Sequence, residues 1–166
     1  MNKIIKILVR FIINHFLCCT HFFAIKRILL IFCGIKIGKN TKIVGPFYFG
    51  NSIKITIGDN SWIGKNFSCD GDGIVKIGKN VNIAPNCVIN TGGHEIGSSY
   101  CRAGTGLKNT IIIGDGTWIC SNVLIVNNTT IGSGNVIAAG AVVICSSKNN
   151  YLIAGVPASE KKKLEE

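Results

Sequence analysis

The chain has 166 residues, with 20 glycines, three prolines and a net charge of +10 at pH 7. This length fits one domain, or one domain with an appendage, and is enough to bury a sizeable core. The lysines are mostly scattered singly and form no basic stripe with interleaved aromatic residues. The composition therefore argues against nucleic-acid binding and favours anionic small ligands or an anionic membrane surface.

The eight cysteines do not have the pattern of a disulfide framework or a metal site. None of them makes a CxxC pair of the kind that zinc sites use. Four of them stand where a repeat would place small or apolar residues: Cys69, Cys87, Cys120 and Cys145. We therefore predict reduced, buried thiols in a cytoplasmic protein and no bound metal.

The N-terminal segment, residues 1–33, is basic and apolar and differs in composition from the rest of the chain. Its longest stretch without a charged residue, residues 11–25, has 15 residues, whereas a membrane-spanning helix needs about 20 apolar ones. No small-residue cleavage site follows, as a signal peptide would require. We predict one or two helices that either pack on the main domain or lie peripherally at the inner face of the membrane, and the sequence leaves both open.

From Ile37 onwards an aliphatic residue recurs about every six residues. After the middle of the chain the series runs without a slip through Ile113, Ile119, Ile125, Ile131, Ile137 and Val143. A period of six fits neither one helix face nor an alternating strand, and it predicts a solenoid of stacked short strands. Three units make an 18-residue coil, which would stack Ile113 on Ile131 and Ile119 on Ile137.

The repeat is interrupted once, at Asn90-Thr-Gly-Gly-His94 and the polar, glycine-rich run that follows. The spacing from Ile77 to Ile113 is 36 residues, which equals two coils. We predict that two coils continue through this span and that residues at about 92–110 project from them as a loop. The repeat domain then covers residues 34–158, and residues 159–166 form a charged tail.

Four motifs carry a resemblance to a known family: Ile89–His94, Ile113–Ile119, Ile137–Val143 and Ile153–Ala158. In these motifs the chain resembles the hexapeptide-repeat acyltransferases, in particular the branch of galactoside, maltose, capsule and O-antigen O-acetyltransferases, over roughly residues 35–160. The resemblance implies an all-β fold, a left-handed parallel β-helix after a short N-terminal helical segment. It also implies acetyl-CoA as the donor, a carbohydrate hydroxyl as the acceptor, and a homotrimer with active sites between subunits.

His94 is the candidate catalytic residue. Transfer of an acetyl group to a hydroxyl needs a base, because a neutral alcohol is a poor nucleophile, and histidine is suited to this role near neutral pH. His94 follows two glycines that allow close approach, and it is the only histidine of the repeat region. A surface histidine in a loop is the alternative. Glu95 is not expected to orient it, because adjacent side chains diverge in an extended chain.

For the acceptor, the resemblance implies a contact from Asp72, which stands with Asp70 in a glycine-rich stretch. Two aspartates among glycines are equally compatible with a simple turn. The family also has an asparagine near the acyl thioester. Gly64 stands at that position here, and Asn66, two residues on, is the candidate that remains nearby.

For the donor, the resemblance implies coenzyme A contacts along the C-terminal coils, at Ser121 and Ala139. The small side chain of Ala138 would leave room for the ligand on the same surface. The family commonly has a basic residue after the Pro-Ala pair, where this chain has Ser159. Lys162 and its two neighbouring lysines follow shortly and are candidates to replace it. Such a lysine run is equally typical of a solvated tail.

Two other functions stay open at this point. A serine acetyltransferase-like enzyme would act on a small acceptor, although that family carries a longer helical N-terminal domain. A non-catalytic, structural β-helix is the other alternative, because Gly64, Ile144 and Ser159 all depart from the family pattern. A zinc enzyme of the same fold would need three histidines as ligands, which one histidine in the repeat region does not supply.

Overall fold

The computed structural model describes residues 3–165, in which two helices precede 19 short strands. Helix α1 spans Lys3–His15 and helix α2 spans Phe23–Phe32. The prediction of one or two N-terminal helices is therefore confirmed. Among the described residues, neither helix is long and apolar enough to cross a membrane.

The strands, numbered in chain order, form one hairpin and three sheets, which are parallel except for the last strand of the second sheet. The first face contains β1 (Lys36–Ile37), β4 (Lys54–Ile57), β7 (Ile74–Ile77), β12 (Thr110–Ile113) and β15 (Thr130–Ile131). The second face contains β2 (Lys42–Ile43), β5 (Trp62–Ile63), β8 (Asn82–Ile83), β13 (Trp118–Ile119), β16 (Val136–Ile137), β18 (Tyr151–Gly155) and β19 (Ala158–Lys163). The third face contains β3 (Phe47–Phe49), β6 (Phe67–Asp70), β9 (Val88–Asn90), β14 (Leu124–Val126) and β17 (Val142–Val143).

The chain visits the three faces in turn, so it forms the predicted β-solenoid. In the registers of adjacent coils Ile113 lies beside Ile131, and Ile119 lies beside Ile137. These four side chains are at most 1% exposed, because every sixth residue points to the axis of the prism. The predicted stacking and the predicted fold class are both confirmed.

The interruption is an antiparallel hairpin of β10 (Gly92–Ile96) and β11 (Ala103–Lys108). Ile77 and Ile113 lie on adjacent coils, since β7 pairs directly with β12. The prediction of two coils between them is therefore wrong. The 36 residues contain one coil plus the hairpin, whose two ends meet where the Asn109 N–H donates to the Thr91 carbonyl over 2.8 Å.

The two helices close the open edge of the first coil. The Asn14 side chain accepts the Phe47 N–H (2.9 Å), and the Arg10 guanidinium donates to the Phe49 carbonyl (2.7 Å). The Arg27 guanidinium donates to the Gly38 carbonyl over 3.1 Å. Basic residues of the N-terminal segment thus satisfy backbone groups that the first coil would otherwise leave unpaired.

At the other end, residues that were expected to begin a charged tail form β19. This strand pairs antiparallel with β18 and so covers the last edge of the second face. The helices at one end and β19 at the other thus each cover part of the exposed edge of the stack.

The prediction of buried thiols is right for only part of the cysteines. Cys33, Cys69 and Cys87 are buried, whereas Cys18, Cys101 and Cys145 are exposed. Cys145 is exposed because it follows Val143, the last inward-pointing residue of its coil, and begins a loop. Burial raises the pKa of the Cys69 thiol far above its usual value, which keeps this thiol protonated and inert.

Candidate active site

A cleft of about 390 Å³ opens where the hairpin leaves the prism. Its walls come from the corner between the third and first faces and from both hairpin strands. They are formed by Gly50, Gly71, Asp72, Gly92, Gly93, His94, Gly106, Leu107 and Lys108. Because five of these nine residues are glycines, backbone groups lie close to the cleft and no side chains fill it.

Thr91 anchors the base of the hairpin. Its side chain is fully buried, and its Oγ1 accepts the Gly73 N–H over 3.0 Å and donates to the Asp70 carbonyl over 2.9 Å. The Asn90 side chain accepts the Gly92 N–H over 2.8 Å and turns the chain out of the prism. The two hydrogen bonds of the Thr91 hydroxyl therefore tie the start of the hairpin to the preceding coil.

His94 lies in β10 opposite Gly106 of β11. Its Nδ1 atom is 2.9 Å from the Gly104 carbonyl oxygen. A carbonyl oxygen only accepts hydrogen bonds, so Nδ1 carries the proton and a neutral imidazole keeps its lone pair on Nε2. The hairpin itself thus orients this histidine, whose ring is exposed toward the cleft.

The two aspartates, between which only Gly71 stands in the sequence, line different cavities. Asp72 lines the cleft together with His94. The Asp70 carboxylate instead accepts the Ser68 hydroxyl over 2.7 Å, and Asp70 lines a different cavity beside α1. Asp72 is therefore the aspartate that shares a cleft with the candidate base.

Asn66 lies at the opposite corner of the prism, between the second and third faces. It adopts a left-handed conformation (φ 58°) and donates from its side chain to that of Asn86 over 3.0 Å. Six residues of extended chain separate it from Asp72, which amounts to about 20 Å. Within one chain, Asn66 is not brought to the cleft.

Gly64 precedes this corner and is closely packed. A Cβ atom there would lie 2.7 Å from the Ile83 carbonyl oxygen and from the Ala84 carbonyl carbon. An asparagine at this position would therefore require the backbone to shift. Gly64 therefore supplies no side chain to this corner of the prism.

Four of the five proposed donor-site residues share the corner between the second and third faces. The Gly140 N–H donates to the Ser121 carbonyl over 3.0 Å, so Ser121 lies next to Ala138 and Ala139 of the following coil. Ser159 pairs with Ala154, whose neighbour in the adjacent strand is Ala138. Lys162 pairs instead with Leu152, nearer the other end of the second face.

Gly104 and Lys108 are parts of the site that the sequence did not predict. Gly104 acts through a backbone carbonyl, which leaves no mark in the residue type. Lys108 lines the cleft and is exposed. Its position two residues before the repeat resumes at Thr110 is the sequence feature that could have indicated this role. No group of three or more potential metal ligands occurs among residues 3–165.

No family model matches the sequence. The chain is 36% identical over 121 residues to the galactoside O-acetyltransferase of Escherichia coli K12, covering 73% of this chain and 60% of that protein. It is 30% identical over 133 residues to the putative colanic acid biosynthesis acetyltransferase WcaF of the same strain, covering 80% and 71%.

Among solved structures, the chain is similar to a hexapeptide-repeat acetyltransferase of Vibrio cholerae O1 biovar eltor in complex with acetyl coenzyme A. The TM-score is 0.83 at 26% identity, over 99% of this chain and 87% of that one. The chain thus spans about three fifths of the galactoside enzyme but nearly all of the Vibrio protein.

Proposed function

This chain belongs to the hexapeptide-repeat acetyltransferase family, and we propose that it transfers an acetyl group from acetyl-CoA to a carbohydrate hydroxyl. The observation that carries the proposal is the oriented imidazole of His94 in a cleft shared with Asp72. The similarity to galactoside and WcaF acetyltransferases supports a sugar or a polysaccharide precursor as the acceptor.

His94 acts as the general base of this reaction. Its free Nε2 removes the proton of the acceptor hydroxyl while the oxygen attacks the thioester carbonyl carbon. The carbon–oxygen bond forms and the carbon–sulfur bond then breaks. The proton on Nε2 passes to the departing sulfur of coenzyme A, which returns the imidazole to its neutral state. The Gly104 carbonyl, as acceptor of the Nδ1 proton, holds the same tautomer through the cycle.

The remaining walls of the cleft have two roles. Asp72 accepts a hydrogen bond from a second hydroxyl of the acceptor and so positions it. Backbone N–H groups of the glycine-rich wall are the available donors to the oxyanion of the tetrahedral intermediate. Lys108 adds positive charge at the same edge and favours the developing negative charge.

The complete site needs a second copy of the chain. Ser121, Ala138, Ala139 and Ser159 lie at a different corner from His94, about 20 Å away along the third face. A trimer with parallel prism axes brings this corner of one subunit to the His94 cleft of the next. Asn66, which lies at the same corner, reaches the cleft in this way only from the neighbouring subunit.

The outer surface of the third face supports such an assembly. Val88, Leu124 and Val142 point outward in one row across adjacent coils. Aliphatic side chains in a row on the outside of a sheet are costly in water, and a neighbouring subunit would cover them. Trp118, on the outside of the second face and half exposed, is a further candidate for this contact.

An acetyl-CoA thiol-release assay tests the function with a panel of free, nucleotide-linked and lipid-linked sugars. We expect turnover with at least one of them and a loss of about 10²–10⁴-fold in His94→Ala. The matched control is Ser99→Ala in the exposed hairpin turn, where the hydroxyl makes no hydrogen bond. If no acceptor gives turnover that depends on His94, the chain is a structural β-helix and not an acetyltransferase.

A further inference from the structure

The two N-terminal helices expose many large apolar side chains to solvent. Of 17 exposed large hydrophobic residues among the described ones, ten lie on α1, on α2 or on their connection. We call them the outer helix face: Ile4, Ile7, Leu8, Phe11, Phe16, Phe22, Ile25, Ile28, Ile31 and Phe32. Their exposed fractions run from 41% to 72%.

This surface is not a by-product of packing. Each helix already buries a separate stripe against the first coil, Val9 and Ile13 on α1 and Leu30 on α2. On α1 the exposed residues recur at Ile4, Ile7, Leu8 and Phe11, which is the spacing of one helix face. A surface helix of a globular domain normally carries polar residues on its outer face, whereas these two helices expose a second set of apolar side chains there.

The charged residues of the first 58 positions are all basic. Residues 1–58 contain nine of the 18 lysines and arginines and none of the eight acidic residues. Lys36, Lys39, Lys42 and Lys54 are exposed on the first two coils, next to the helices. An exposed apolar surface with basic residues at its margin is the composition of helices that lie at an anionic membrane surface.

A cleft of about 670 Å³ lies between α2 and the first coil. Phe23, Ala24 and Ile28 supply an apolar wall, and Arg27, Lys39 and Lys42 supply three cationic groups. The combination of an apolar wall with clustered cations matches a phospholipid, whose phosphate meets the cations while its first carbons meet the apolar wall.

We propose that the outer helix face docks the protein on the surface of an anionic phospholipid bilayer. The apolar side chains enter the region between the headgroups and the acyl chains, and the lysines at the margin bind lipid phosphates. A second copy of the chain is the less suitable occupant. Two such faces in contact would bring two sets of cations together, and residues 1–58 contain no acidic side chain to offset them.

Docking in this way also places the candidate active site next to the bilayer. Gly50 lines the His94 cleft, and it also lines a cavity together with Ile7, Arg10 and Phe11 of α1. The acceptor cleft and the outer helix face therefore meet along one edge of the molecule. This relationship rests on the proposed function, whereas the docking itself does not.

Co-sedimentation of the full chain with vesicles tests the proposal. We expect binding to phosphatidylcholine vesicles that contain phosphatidylglycerol, weak binding to pure phosphatidylcholine, and loss of binding at high salt. The Ile7→Ser/Phe11→Ser double variant should lower the bound fraction about tenfold. The matched control, Ile144→Ser/Val156→Ser, removes two exposed apolar residues from the end of the prism opposite the helices and should bind as the unmodified chain does.

A second variant, Lys39→Glu/Lys42→Glu, tests the charges without changing the apolar surface. It should bind phosphatidylglycerol vesicles about tenfold more weakly and lose the salt dependence. The proposal is wrong if the unmodified chain does not bind phosphatidylglycerol vesicles, or if Ile7→Ser/Phe11→Ser and Lys39→Glu/Lys42→Glu both bind as well as the unmodified chain. It is also wrong if Ile7→Ser/Phe11→Ser changes the mass of the assembly in light scattering, because a second copy then covers this face. Failure of these tests leaves the acetyltransferase assay unaffected, so the two proposals fail separately.

Discussion

The Nδ1 atom of His94 lies 2.9 Å from the carbonyl oxygen of Gly104, which faces it from the partner strand of the hairpin. This contact selects the tautomer of the ring and leaves Nε2 as the basic atom. The hairpin is thus more than a loop that carries a histidine, because its second strand supplies the group that orients the first strand's side chain.

The Gly104 carbonyl can be displaced by a small substitution at its own residue. In Gly104→Ala the new Cβ atom would lie 2.9 Å from the Glu95 carbonyl oxygen, so the strand has to move. We expect kcat to fall about tenfold, because the free energy of one hydrogen bond corresponds to about this factor in rate. KM for acetyl-CoA should change little, because the proposed donor residues lie at another corner. Unchanged kcat in a folded variant would show that this carbonyl does not orient His94.

Thr91 should stabilise the hairpin base through its hydroxyl. Thr91→Val keeps the shape of the side chain but leaves the Gly73 N–H and the Asp70 carbonyl without this partner. We expect the free energy of unfolding in urea to fall by about 1–3 kcal/mol. Thr130→Val is the control, since this exposed threonine of β15 makes no side-chain hydrogen bond. Equal effects of the two substitutions would contradict the assigned role.

Gly73 should tolerate no side chain, because the chain passes directly over it. A Cβ atom at this position would overlap the Asn109 carbonyl oxygen, where the hairpin rejoins the prism. Gly73→Ala should lower the free energy of unfolding by about 1–3 kcal/mol, the usual cost of overpacking. Gly106→Ala places its Cβ in open space and serves as the stability control. The packing argument fails if Gly73→Ala and Gly106→Ala unfold at the same urea concentration.

Lys26 should make stability depend on pH in the alkaline range. Its side chain is fully buried and donates to the Cys19 carbonyl over 2.6 Å. Burial lowers the pKa of Lys26 below its usual 10.5, although the nearby thiols Cys19 and Cys18 partly oppose this shift.

The sign of the effect follows from the lowered pKa. Below the folded-state pKa Lys26 is charged in both states, and the folded state bears the whole cost of burying the charge. As the pH rises through that pKa toward 10.5, the folded state loses the proton first and the cost disappears.

The unmodified chain should therefore gain free energy of unfolding relative to Lys26→Met as the pH rises through the lowered pKa toward 10.5. Comparing the two proteins at each pH cancels the contribution of the ionisable groups that they share. A difference that stays constant across this range would mean that Lys26 titrates as it does in water.

The sequence by itself determined the solenoid and pointed to His94. Each aliphatic residue of the six-residue period must face the axis, and each coil packs only on its neighbours, so a local rule was enough to predict which isoleucines stack. His94 could be found because it stands in the single interruption of an otherwise regular pattern. The choice between Asp70 and Asp72, and the carbonyl of Gly104, depend on how the chain turns in space, and the residue types do not record this.

The number of coils between Ile77 and Ile113 was decided only by the tertiary structure. An interval of 36 residues is compatible with two coils, and equally with one coil plus an excursion as long as a coil, because both return the chain to the same register. The hydrogen bond from Asn109 to Thr91 and the pairing of β7 with β12 select the second arrangement. The spacing of two residues in the sequence gives only the length of chain between them, whereas backbone pairing determines which residues become neighbours.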